Sequence, residues 1–151
     1  MRKLCIILAL SCSVFAGQAQ NPTLKTVEEG IQTSIRQTES HEWSEAFATC
    51  RQMDALISSE ENKSNKAAPE LHYLVSKERL RMYMRLNKAE QSNEQVQKLE
   101  EWAKKAKQDA LNEDLLMTKA NYFQKFGMND KSLQCYKELV QRRSNGQDEQ
   151  G

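Results

Sequence analysis

Residues 112–143 constrain this chain more than any other stretch. They read NEDLLMTKANYFQKFGMNDKSLQCYKELVQRR, two apolar-striped segments joined by Phe126-Gly127. Leu116, Ala120 and Phe123 recur at helical spacing in the first segment. Leu133, Tyr136, Leu139 and Val140 are expected to form the inner face of the second. Gly127 is a natural left-handed stop, because without a Cβ it tolerates positive φ. Asn112 is expected to cap the first segment and Asp130 to restart the helix after the turn. Two stripes this close in sequence bury each other by folding back, so the stretch predicts an antiparallel helical hairpin.

The remaining sequence has the same texture. Charged residues make up 28% and hydrophobic ones 38%, with five Gly and two Pro in 151 residues, a mixture that favours amphipathic helices. No run alternates with period two over strand length, so the class is all-α. Asn21-Pro22 opens a helix predicted to run to about Glu39, striped by Leu24, Val27, Ile31 and Ile35. Gly30 inside it costs about 1 kcal/mol against Ala. Ser40 reads as a cap before Trp43, Ala46, Phe47, Cys50, Met53 and Ile57, spaced by threes and fours. Residues 58–68 (SSEENKSNKAA) lack periodicity and read as a loop. Pro69 starts a helix expected to reach Asn87, with Leu71, Val75, Met82 and Leu86 on one face and Tyr73, Leu80 and Met84 on another. A helix apolar on two sides lies between neighbours. Ser92 to Gln95 matches a capping box. Val96, Leu99, Ala103, Ala106 and Ala110 then line a further inner face with Trp102 beside them. The total is six helices in three pairs.

The order of side-chain sizes in residues 112–143 resembles a tetratricopeptide repeat: large Leu116, small Ala120, aromatic Phe123, the Gly127 turn, small Ser132, aromatic Tyr136, apolar Leu139. Overlaying the first pair on the third puts His41 on Gly127, Ala46 on Ser132, Cys50 on Cys135 and Met53 on Leu139. The middle pair fits loosely, and the spacing exceeds the ~34 residues of the standard repeat. The resemblance implies a right-handed α-solenoid of about three antiparallel hairpins over residues 20–143. Residues 144–151 form a polar tail or the start of a further segment.

The N-terminus is a separate object. Arg2 and Lys3 precede an apolar run from Leu4 to Ala16, and Gly17-Gln18-Ala19 supplies small residues for signal peptidase. Residues 1–19 therefore read as a secretory signal peptide cleaved before Gln20, giving a periplasmic or secreted protein. The run is too short to span a bilayer. Lipoprotein processing at Cys12 is the weaker alternative, since Ala9-Leu10-Ser11 makes a poor lipobox. Membrane attachment is thus expected only through lipidation or as part of a longer membrane protein. Losing Arg2 and Lys3 takes the formal net charge from +1 to −1, and no basic stripe argues for nucleic acid as a partner.

Residues that could carry chemistry are sparse. His41 and Glu45 lie one turn apart, as a metal pair would, without a third ligand nearby in sequence. His72 beside Glu70 has less support. Cys50 and Cys135 fall on second helices of different hairpins and read as small buried thiols, although export permits disulfides. Trp43 and Trp102 read as core. No phosphate loop, nucleophile elbow, Cys-x-x-Cys or His-Glu-x-x-His occurs, and carboxylate pairs such as Glu100-Glu101 are solvated faces. The expectation is a non-catalytic module, without cofactor, metal or an evident small-molecule substrate, that binds a protein or peptide along its first helices. Lys77, Arg81, Arg85, Lys119 and Gln124 are the candidate contacts, with Gln37 and Asn121 beside them. The alternative is the extracytoplasmic input region of a larger signalling protein, a sensor kinase or repeat-bearing transcriptional regulator.

Overall fold

The computed structural model describes residues 22–148, and their regular structure is entirely helical. The expected signal peptide, its expected cleavage site and Cys12 lie outside the described residues. Six helices follow in order: α1 (Pro22–Glu39), α2 (Trp43–Ile57), α3 (Ala68–Arg85), α4 (Ala89–Ala106), α5 (Asp109–Lys125) and α6 (Asn129–Asp148). They pack largely as consecutive antiparallel pairs, α1 with α2, α3 with α4 and α5 with α6. Each pair also touches the next through its second helix, and the first helices touch in sequence, α1 with α3 and α3 with α5.

One turn closes all three pairs. His41, Asn87 and Gly127 each adopt positive φ, at 65°, 56° and 76°. Around each, the backbone hydrogen bonds repeat: His41 N–H to Thr38 and Glu42 N–H to Gln37, Asn87 to Met84 and Lys88 to Tyr83, Gly127 to Gln124 and Met128 to Phe123. His41 and Asn87 both adopt it with a Cβ, and both are among the non-glycine residue types enriched in this conformation. The middle pair therefore shares the register of its neighbours. Unequal connections conceal that register in sequence: residues 58–67 join α2 to α3, while Lys107 and Gln108 alone join α4 to α5.

The core divides by pair. Leu24, Val27, Ala46, Cys50, Met53 and Ile57 pack with Leu71, Val75 and Met82 of α3. Tyr73 and Leu80, on the other side of α3, pack with Val96, Leu99, Ala103, Leu111 and Tyr122. The two-faced reading of α3 is what the structure shows. Leu116, Ala120, Cys135 and Leu139 close the third pair. Gly30 has a packing reason for its place, since a Cβ there would lie 2.5 Å from Met53 Sδ.

Several local expectations need correction. Asn112 caps nothing: α5 starts at Asp109 with Gln108 before it, and Asn112 N–H already bonds Gln108 carbonyl. Ser40 lies in the turn, and Glu42 holds the cap position of α2 without a side-chain bond. Ser92 to Gln95 is no capping box, because α4 already runs from Ala89; Ser92 Oγ donates back to Lys88 carbonyl at 2.6 Å. Ala110 belongs to α5 and is exposed, the break falling at Lys107, whose φ is 54°. Leu133 and Val140 face outward, and the inner face of α6 is Ser132, Cys135 and Leu139 with Tyr136 half-buried. In the shared register Cys50 corresponds to Tyr136, not to Cys135.

Candidate functional site

The first helices place the candidate contacts in three different situations. Arg81, on α3, is turned toward α1. Its Nε and Nη2 donate to Glu78 Oε2 and Oε1 at 2.8 and 2.7 Å, and Nη2 also reaches Thr38 Oγ1 at 2.8 Å. Glu78 is 5% exposed and also accepts from Ser34 Oγ at 2.9 Å. The bidentate hydrogen bond to Glu78 is the main reason the Arg81 guanidinium is held even more firmly in its charged form. This network ties α1 to α3.

A second network ties α3 to α5. Lys77 Nζ and Tyr73 Oη donate to the two oxygens of Asp114 at 2.6 and 2.7 Å. Burial, then the neighbouring Asp114 charge, pushes the Tyr73 hydroxyl far above its ordinary range, so it stays protonated and donates to Asp114. Lys119 pairs with Glu100 of α4. Gln37 is half-buried and accepts from Thr49 Oγ1 at 2.8 Å. Arg85, Asn121 and Gln124 are exposed; Arg85 lies 5.4 Å over the Trp43 ring, and Asn121 accepts from Tyr136 Oη at 3.3 Å. The structure thus does not gather the basic residues into one line: Lys77 and Arg81 are held by carboxylates of the fold, and Arg85 is the one that reaches out at the helix end.

Sequence reasoning missed a constellation at the α2–α3 junction. His72 Nδ1 donates to Asp54 Oδ1 at 3.1 Å, Arg79 pairs with the other Asp54 oxygen, and the imidazole stacks on Trp102 at 4.4 Å and 17°. Ser58 Oγ lies 3.5 Å from His72 Nε2, at the margin of hydrogen bonding. Ser58, His72 and Trp102 line an open cleft of about 430 Å³ with residues of the 58–67 connection, among them Lys63 and Lys66. Burial alone would raise the Asp54 carboxyl, but the His72 bond and the Arg79 charge outweigh it and hold it below the usual value. With Asp54 neutralised by Arg79 and the ring clamped by Trp102, the arrangement fixes three helices together. His41 and Glu45 are exposed, and no cluster of three metal-binding side chains occurs among the described residues. Asp54 lies on α2 and His72 and Arg79 on α3, across the aperiodic 58–67 connection, so no within-helix spacing rule could have joined them.

Cys50 and Cys135 are free and buried in the first and third cores. Burial pushes the Cys50 thiol up to about 11 and raises Cys135 as well. No helix among the described residues is long and apolar enough to cross a membrane. No family model matches the sequence, and no curated protein or solved structure matches it.

Proposed function

We propose that this chain is an exported helical-repeat module, a right-handed solenoid of three tetratricopeptide-like pairs that binds a protein or peptide segment along its first helices. One observation carries the reading: three pairs share one turn and one register, and their first helices contact each other in order. Such stacking makes a ribbon of first-helix side chains, the surface that repeat arrays use for extended partners. The ribbon is held in shape by the Glu78–Arg81 and Asp114–Lys77 networks and offers Arg85, Asn121 and Gln124 outward. Arg85 is suited to a carboxylate through paired charge-assisted hydrogen bonds. Export rests on the Arg2-Lys3 start, the apolar run and the Gly17-Gln18-Ala19 site.

The test is capture from cell-envelope extract by the immobilised protein and by an Arg85→Glu, Gln124→Glu variant, with bound proteins identified by mass spectrometry. The reading expects a specific partner retained by the parent and lost by the folded variant. The same partner on both would move the binding surface off the first helices.

A further inference from the structure

Met117, Leu133 and Val140 are the exposed large hydrophobic side chains among the described residues, at 36%, 53% and 64% exposure. The shared turn fixes which way they face. Counted from the left-handed residue of each pair, Leu133 takes the place of Phe47 and Asn93, Val140 that of Asp54 and Glu100, and Met117 that of Lys77. Each of those five side chains holds the first helix of the following pair. Phe47 packs on Tyr83 at 4.9 Å between ring centres, and Asp54 binds His72 and Arg79. Asn93 accepts from Tyr122, Glu100 from Lys119, and Lys77 donates to Asp114. The third pair therefore turns outward the face that the first two pairs bury, and at these positions it is apolar where the middle pair is polar.

We propose that this face docks a second copy of the chain, α6 against α6 in an antiparallel two-fold contact. The two apolar residues of α6 stand seven apart, the repeat of a helix–helix seam. A two-fold axis level with Tyr136 and Lys137 sets Leu133 against Val140 of the second copy and the reverse, so the seam matches itself. The same axis sets Asp130 opposite Arg143 of the second copy, an arginine that also donates to Glu113 of its own chain at 3.3 Å, and puts Lys137 beside the Tyr136 ring. Met117 of α5 widens the apolar strip. A head-to-tail arrangement is poorer, because the outer face of α1 presents Glu29, Thr33 and Arg36, joined by Arg36 to Thr33 at 3.1 Å. The contact is made by the third pair and Arg85 lies on the middle pair, so the Leu133 and Val140 substitutions test association without altering Arg85.

Sedimentation equilibrium of the purified protein tests it. The expected result is a mass that doubles between roughly 1 and 200 µM, the range for a contact of modest area. A Leu133→Lys, Val140→Lys variant stays at single mass over the same range with unchanged circular dichroism, and Val140→Ser weakens association several-fold. Mixing Leu133→Cys protein with Val140→Cys protein under mild oxidation gives mixed disulfide dimers faster than either alone, as the antiparallel register requires. A single mass for the parent throughout overturns the proposal. A dimer indifferent to the lysines overturns it too, as does preferential linking of Leu133→Cys to itself.

Discussion

Glu78 shows how much a single substitution at a first-helix junction should cost. Its carboxylate is almost wholly buried and is satisfied by Arg81 and Ser34. Arg81→Ala leaves that charge unpaired, so a loss of about 2–4 kcal/mol is expected in urea unfolding, below the full cost for a dry site because Arg81 itself reaches water. Arg85→Ala, one turn further on, should stay within about 0.5 kcal/mol. Ser132 makes the opposite kind of demand. Its Oγ donates to Ala120 carbonyl at 2.9 Å across the contact of α5 and α6. Ser132→Leu should therefore overpack that crossing by about 1–3 kcal/mol, whereas Tyr136→Ala, at a half-buried position, should cost less than deletion of a core ring. Glu70 is a buried carboxyl, 2% exposed, whose pKa burial raises in spite of the 3.1 Å bond from Gln108. Its protonated form is the one the fold prefers, so the stabilisation present at low pH is lost as pH rises through the raised value. Glu70→Gln should increase neutral-pH stability by up to about 1 kcal/mol, a gain that disappears on acidification.

The α2–α3 junction puts a pH dependence of opposite sign on a whole element. Asp54 is held below its ordinary value of 3.8, so its contribution is full above that value and lost as pH falls through the lower folded value. The stability gap between the parent and Asp54→Asn, measured by denaturant at a series of pH values, should be constant near neutrality and close below about pH 4. The helices were largely legible in sequence because their stripes recur by threes and fours, and α3 betrayed its neighbours by being apolar on two sides. Their starts were not. Asn112, Ser40 and Ser92 all looked like caps, yet α2, α4 and α5 have no side-chain cap bond at their N-termini, where the backbone of the preceding turn governs. The break at Lys107 was invisible because a lysine carries the left-handed conformation usually given to glycine. Among the site residues, periodicity placed Lys77, Arg81 and Arg85 on one helix. It could not show that carboxylates on other turns and helices had already claimed two of them.

At the scale of the molecule, the thiols report on the separation of the pairs. Cys50 and Cys135 lie in the first and third cores, so both should resist labelling in the native protein and react after unfolding. A labelling ladder in rising urea, read by mass, checks this. The export reading adds an N-terminus at Gln20 in protein recovered from the producing cell; intact Met1 or an acylated Cys12 would contradict it. The division of the core has a consequence for synthesis. The first two apolar clusters draw their last residues from the helix that follows each pair: Leu71, Val75 and Met82 complete the first, Leu111 and Tyr122 the second. A chain made from its N-terminus cannot seal one core until the next pair has begun to emerge. Folding therefore advances behind synthesis by about one helix, and a stall after α4 leaves Tyr73 and Leu80 packed on α4 without Leu111 and Tyr122 to complete their cluster.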